Sequence, residues 1–314
     1  MRKRLICVVE MVLGIFLLLV LAIRADASTK DIIVREESLA IKGLKQEYNI
    51  FLIGDTHISL CDDRDKALLE KAGSRKQAFW NESHKSATGV FENLIRESNQ
   101  RKSDLVVFAG DIIDSAMEAS IDFVGEQFGK LSSPYVYILG NHDFEYGKEY
   151  FSKKAYRKYF PRLERLTGTK EQYSIKEFDD FILIGLNDCN NQFSKSAVKA
   201  VLPTLKGEKP VILVLHVPLQ PLKKVSDLEK QANEVWGKSK KGTCRVLIGE
   251  NACVPNKNTR RLLNAVFSKD SSVAAVLAGH VHFYNKSLIK ENLTQYITGA
   301  GYYGEAVMLH LTPQ

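Results

Sequence analysis

The stretch Val273-Ala274-Ala275-Val276-Leu277-Ala278-Gly279-His280-Val281-His282 decides how the whole chain is read. Its first six residues are an unbroken apolar run, which suits a strand buried on both faces. Two imidazoles spaced by two would share one face of a regular strand. Set in the turn where that strand ends, they splay towards two points instead, as a pair of neighbouring metal ions requires. Further ligands are then expected upstream, at the ends of similar strands.

Working outward, the same pattern recurs. Tyr48-Asn49-Ile50-Phe51-Leu52-Ile53 runs into Gly54-Asp55-Thr56-His57, and Leu105-Val106-Val107-Phe108-Ala109 into Gly110-Asp111-Ile112-Ile113-Asp114. Tyr135-Val136-Tyr137-Ile138-Leu139 leads to Gly140-Asn141-His142-Asp143, and Val211-Ile212-Leu213-Val214-Leu215 to His216-Val217-Pro218. Pro218 fits a chain leaving the sheet, since it cannot donate to a ladder. Taken singly, a Gly-Asp after a strand is a turn, and a lone buried histidine is a hydrogen-bonded core residue. Five strand-like runs in succession, each ending in metal-ligand residue types, are not explained that way. The carboxyl ends of strands are also where open α/β sheets bind ligands.

These blocks resemble the calcineurin-like metallophosphoesterase superfamily, whose pattern D-x-H, G-D, G-N-H-D/E, a later H and G-H-x-H is intact here from Asp55 to His282. The resemblance implies an α/β fold, a four-layer α/β/β/α sandwich of two mixed sheets with the site at their shared edge. It implies two divalent metal ions: one on Asp55, His57, Asp111 and His282, the other on Asp111, Asn141, His216 and His280, with Asp111 bridging. Carboxylate, imidazole and amide donors without thiolate suit Mn, Fe or Zn. Two such ions can share a hydroxide, lower its pKa, and clamp the attacking and leaving oxygens at phosphorus. His142, beside Asn141, is implied to contact the phosphate and to stabilise or protonate the leaving oxygen. Asp114 matches the carboxylate that orients this histidine in Ser/Thr protein phosphatases; an N-cap for a helix over Ala116–Phe123 is the other reading. Asp143 is read as structural support.

Two departures narrow the choice. Asp114 stands where purple acid phosphatases carry a tyrosine ligand, which argues against a tyrosinate-bound ferric site. Ser115-Ala116 stand where protein phosphatases carry Arg-Gly; the missing arginine removes a phosphate clamp and argues against phosphoprotein substrates.

The rest of the chain supplies the setting. With 314 residues, 45% hydrophobic and 26% charged, it suits one large domain over 28–314. Residues 1–27 stand apart: basic Arg2-Lys3-Arg4, an almost wholly aliphatic Met11 to Ile23, then the small residues of Ala25-Asp26-Ala27. This is a cleaved signal peptide, or an uncleaved membrane anchor that must accommodate Glu10; either exports the catalytic part. The segment carries four positive and two negative charges, so the formal charge of +7 falls to +5 without it. That is a solvated basic exterior, with no basic–aromatic stripe of the nucleic-acid type. Cys61, Cys189, Cys244 and Cys253 either form disulfides, Cys244 with Cys253 being the nearest pair, or remain free thiols. Helices are expected over Met117–Leu131, Tyr150–Tyr159 with Pro161 as its stop, and Asn258–Ser268. A strand is expected around Ile32–Val34, paired strands at Tyr173–Ile175 and Phe181–Ile184, and closing strands at Gln295–Ala300 and Ala306–Leu311. Ser74–Gly89 reads as a mobile insertion, Leu222–Thr243 as lid or surface, His84 as exposed, and His310 as structural. Gly299–Gly304 is a glycine-rich turn whose Tyr302 is a candidate substrate contact.

The expectation is an exported metal-dependent hydrolase of phosphate mono- or diesters, acting on a small phosphorylated substrate. A pyrophosphatase for nucleotide or lipid-linked substrates, and a non-catalytic binding protein on the same fold, are the alternatives.

Overall fold

Runs such as Leu105–Ala109 and Val211–Val214, buried at every position, place their strands at the centres of two sheets. The computed structural model describes residues 32–80, 86–144, 153–222 and 226–314. Residues 1–27, expected to direct export, His84 and the Tyr150 end of the expected basic helix lie outside them.

The first sheet has the order β1 (Ile33–Ile41), β11 (Glu305–Pro313), β2 (Tyr48–Ile53), β3 (Leu105–Ala109), β4 (Tyr135–Ile138). β2, β3 and β4 run parallel, and β11 is antiparallel to β2 and parallel to β1. The second sheet runs β5 (Tyr173–Glu177), β6 (Ile182–Leu186), β7 (Val211–Val214), β8 (Val273–Ala278), β10 (Leu293–Ile297), β9 (Asn285–Lys290). Its four middle strands are parallel, and antiparallel β5 and β9 close the two edges. Both sheets are mixed, as expected.

Three apolar layers give the sandwich its four tiers. Leu52, Val107 and Ile138 of the first sheet meet Leu183, Ile212 and Leu277 of the second. Gly185 in β6 permits this approach, because a Cβ there would lie 1.9 Å from Ile138 Cδ1. Helices α2 (Ala87–Gln100), α3 (Glu118–Phe128) and α4 (Lys153–Thr167) cover the outer face of the first sheet through Phe91, Val124 and Leu163. Helices α5 (Lys195–Val201) and α7 (Lys257–Val266) cover the second through Val198 and Leu262.

Several expectations need correction. β1 runs to Ile41, well past the expected Val34, and β9 was not expected; both are edge strands whose charges break up the apolar signal. Pro161 lies inside α4 rather than ending it. It forfeits one backbone bond, at a cost of about 3 kcal/mol. Leu163 and Leu166 beyond it are fully buried, at roughly 1.5–3 kcal/mol each, so continuing the helix wins. Residues 74–78 of the expected mobile insertion belong to an ordered helix, α1 (Leu69–Ala78). Within the expected lid, α6 (Asp227–Trp236) is capped by Ser226 and buries Leu228 and Ala232 completely. All four cysteines of the described residues are free thiols. Among those residues no helix is long and apolar enough to cross a membrane.

Candidate metal centre

The carboxyl ends of β2, β3, β4, β7 and β8 converge where the two sheets share an edge, and each delivers the residues expected of it. Sharp turns there bring the side chains inward. Asp55, His57, Asp111, His280 and His282 all hold φ between 49° and 73°, a left-handed region that non-glycine residues enter at a cost of about 1–3 kcal/mol each. His280 and His282 do splay, and each joins a different group.

In one group the ligand atoms of Asp55, His57 and His282 lie within 4.8 Å of one another. His57 Nε2 faces His282 Nε2 at 3.1 Å, and His282 Nε2 is 3.4 Å from Asp55 Oδ1. In the other group are Asp111, His216 and His280. His216 Nε2 lies 3.2 Å from Asp111 Oδ2, 3.2 Å from Asn141 Oδ1 and 3.1 Å from His280 Nδ1. Asp111 Oδ2 is also 4.0 Å from His57 Nε2, which sets it between the groups.

The donor chemistry fits a cation in each. His216 Nδ1 donates to the Ala109 carbonyl at 2.8 Å, which leaves Nε2 with its lone pair in the neutral ring. That lone pair meets a carboxylate oxygen, an amide oxygen and a second imidazole nitrogen, donors that a single cation could share. Burial alone would lower the pKa of His216, but Asp111 outweighs it and pushes the value up to about 10. The field that draws a proton onto Nε2 draws a metal ion equally. Burial also lowers His57 to about 4, against the pull of Asp114, and lowers His280 to about 3, helped by His216. Both imidazoles are thus held neutral, the form that a metal ion takes. Burial of Asp111 is overcome by His216 and His142, which hold its carboxyl well below the usual range.

Neighbouring groups fix these loops. The buried Asp143 carboxylate accepts the backbone N–H of Asp111 (2.9 Å), Ile113 (3.0 Å) and Gly140 (2.6 Å), and the Tyr137 hydroxyl also donates to it. Burial and the charge of Asp111 raise its pKa to about 7. Asp188, fully buried after β6, accepts from the backbone N–H of His216 (3.3 Å) and Val217 (2.9 Å). Trp236, at the end of α6, donates to the Val281 carbonyl between the two histidines at 2.8 Å.

His142 stands outside these two groups and forms a third cluster with His57 and Asp114, whose ligand atoms also lie within 4.8 Å of one another. Its Nδ1 lies 2.7 Å from Asp114 Oδ1, and its backbone N–H donates to Asp111 Oδ1 at 2.7 Å. Asp114 is no helix cap: the residue before α3 is Met117, which makes no side-chain cap bond. Instead the buried Asp114 carboxylate also lies 3.5 Å from His57 Nδ1 and receives both Nε and Nη2 of Arg75. Burial alone would raise the Asp114 pKa; hydrogen bonds to His142 and Arg75 and the nearby His57 ring hold it well below the carboxylate range instead. Burial likewise works against protonation of His142, but Asp111 and Asp114 raise its pKa.

Asp111, Asn141, His142, His280 and His282 line a cavity of about 340 Å³ together with Asn191, Trp236 and Arg245. Tyr302 is not in that lining. Its hydroxyl is 3.5 Å from His282 Nδ1 and its ring packs on Phe79, so it backs a candidate ligand. His310 pairs with Asn49 and Glu36 on β11, away from the centre.

Arg75, Asp188, Trp236 and Arg245 escaped the sequence reading. Ala72, Arg75 and Phe79 share helical spacing, which was the available sign that α1 presents a face to the site. Nothing local marks the other three.

No curated protein matches the sequence. A dimetal phosphatase from Danio rerio has a similar structure, at 13% identity and a TM-score of 0.53, over 84% of this chain and 93% of that one. A purple acid phosphatase from yellow lupin (Lupinus luteus) seeds aligns at 13% identity and a TM-score of 0.52, over 85% of this chain and 46% of that one. At such identities the likeness speaks for the fold. The sequence model of the calcineurin-like phosphoesterases matches residues 48–284, an interval that holds every block quoted above. The chain belongs to the calcineurin-like phosphoesterase family.

Proposed function

We propose that this phosphoric ester hydrolase cleaves a small phosphate mono- or diester, using two divalent ions held by Asp55, His57, Asp111 and His282 and by Asp111, Asn141, His216 and His280. One observation carries the reading: His142 lines the cavity beside both ligand groups while its Nδ1 is engaged by Asp114 at 2.7 Å. The bound pair would supply Lewis acidity and a nucleophile at neutral pH. The donor set favours Mn, Fe or Zn.

The protein's own groups do the rest. Asp114 accepts from His142 Nδ1–H, which fixes the tautomer and turns Nε2 towards the cavity. From there the ring can give a proton to the leaving oxygen. Asn141 and His142 flank the position of the phosphate. Arg245, also in the lining of that cavity, adds positive charge there. The basic and aliphatic residues 2–23 support export, to be checked by N-terminal sequencing of the protein from its native host.

The test uses residues 28–314 loaded with Mn and assayed on a phosphomonoester, a phosphodiester and a pyrophosphate. His142→Ala is expected to lose about 10²–10⁴-fold in kcat, and Asp111→Asn to lose both activity and Mn in a binding titration. Inactivity of the loaded wild type on all three classes would leave the binding-protein alternative. Full turnover by His142→Ala would remove the role given to that residue.

A further inference from the structure

Arg75 lies outside every family block, on a helix that joins the first and second of them. α1 is docked on the site at several points: Ala72 is buried against Met117, and the Ala72 carbonyl accepts from Ser59 Oγ at 3.2 Å. Phe79, just past its end, stacks on His57 with ring centroids 4.0 Å apart and planes at 4°. The Arg75 guanidinium in turn sits 4.8 Å over the Phe79 ring. This packing delivers a fork to Asp114: Arg75 Nε is 2.6 Å from Oδ2 and Nη2 is 2.9 Å from Oδ1.

Asp114 has two imidazoles to choose from. His142 Nδ1 is at 2.7 Å and His57 Nδ1 at 3.5 Å, and the His57 nitrogen is buried with no hydrogen-bond partner of its own. A carboxylate free to turn about its Cβ–Cγ bond could serve either ring. A bidentate guanidinium removes that freedom, because both oxygens must stay in the plane of the fork.

We propose that Arg75 is a positioning residue: its two-point contact locks the Asp114 carboxylate onto His142 and away from His57, so that the His142 ring is held ready to donate to the leaving oxygen. This rests on the role given to His142 above. Arg75 acts through the Asp114–His142 pair: its Nη2 also lies 3.3 Å from His142 Nδ1. Lysine cannot replace it, since a single ammonium makes one contact and leaves the carboxylate free to turn.

The role makes a signature that loss of packing alone does not. Proton donation matters most when the leaving group is poor. In the Mn-loaded protein, Arg75→Ala should therefore lower kcat about tenfold or more on glycerol 2-phosphate and only a few-fold on 4-nitrophenyl phosphate. KM and the Mn affinity measured by calorimetry should stay within about twofold. Arg75→Lys should resemble the alanine variant, and added guanidinium ion should restore part of the loss in Arg75→Ala but not in the wild type. In a His142→Ala background, Arg75→Ala should cost nothing further. A reading independent of turnover comes from NMR of imidazole-labelled metal-free protein, where the His142 Nδ1-bound proton should exchange faster with water in Arg75→Ala.

Equal losses on the two substrates, a raised KM, loss of Mn affinity, or an undiminished effect in the His142→Ala background would each overturn the proposal. An unchanged exchange rate of the His142 proton would do so even if the wild type proved inactive, which is the separate failure of the functional reading.

Discussion

Single residues carry the centre's geometry at visible cost. Five left-handed ligand residues, at about 1–3 kcal/mol each, are tolerated because the loops around them are pinned by buried backbone acceptors. Gly110 precedes the bridging Asp111 with a φ of 83°, and a Cβ there would lie 2.4 Å from His216 Nδ1 and 2.8 Å from Gly140 N. Neither neighbour can yield, since the His216 ring is held by Ala109 and the other contact is backbone. Gly110→Ala should therefore destabilise the fold by at least about 1–2 kcal/mol and displace His216, measured by urea unfolding and by Mn calorimetry. Asp188 gives a cleaner separation of stability from binding. Both of its oxygens accept backbone N–H groups of the loop carrying His216. Asn retains one acceptor and turns an NH₂ towards the second donor. Asp188→Asn is expected to weaken Mn binding about 10–100-fold. Unchanged Mn affinity in that variant would show that the loop holds its shape without the carboxylate.

At the level of elements, what the sequence could reveal depended on where the information resides. β2, β3, β4, β7 and β8 were legible because strands buried on both faces are written as unbroken apolar runs, and their ligands follow within a few residues. β1 and β9 were not, because an edge strand alternates charge with apolar residues and takes its identity from a distant partner. Residues 74–78 of α1 were read as insertion and α6 as lid or surface because their work is done by tertiary docking: Arg75 reaches Asp114, and Trp236 reaches the Val281 carbonyl. The two edge strands also meet each other. Glu37 of β1 accepts from Lys286 Nζ of β9 at 2.6 Å and from the Tyr284 hydroxyl, clipping one sheet to the other. Burial alone would raise the pKa of Glu37, but Lys286 and Tyr284 bring it below its ordinary value of 4.5. A lowered folded-state pKa contributes stability above the unfolded value, and that contribution is lost as the pH falls through the folded one. Glu37→Gln should thus cost on the order of 1 kcal/mol at neutral pH. The gap in melting temperature between variant and wild type should stay constant from pH 8 to 5 and narrow only below the ordinary glutamate value. A gap that widened on acidification would refute the assignment.

For the molecule as a whole, the decisive fact is that each of the two groups assigned to an ion draws on both sheets. Asp55 and His57 leave the first sheet and meet His282 from the second; Asp111 leaves the first and meets His216 and His280 from the second. Each ion is therefore a fastener across the interface formed by Leu52, Val107, Ile212 and Leu277. Because the unfolded chain cannot assemble either group, binding energy becomes folding energy. At a free Mn concentration about a hundredfold above the dissociation constant, one site adds about 2.7 kcal/mol. For a domain of this size that is a rise of roughly 5–10 °C in melting temperature. Calorimetric melting with Mn, and again after chelation, checks it. His282→Ala and His216→Ala each cut one fastener and should each lose part of the rise. Asp111→Asn weakens the ligand that both groups approach, so it should lose most of it. A full rise in Asp111→Asn would mean that the ions bind elsewhere, and the two-sheet centre would then have to be abandoned as the metal site.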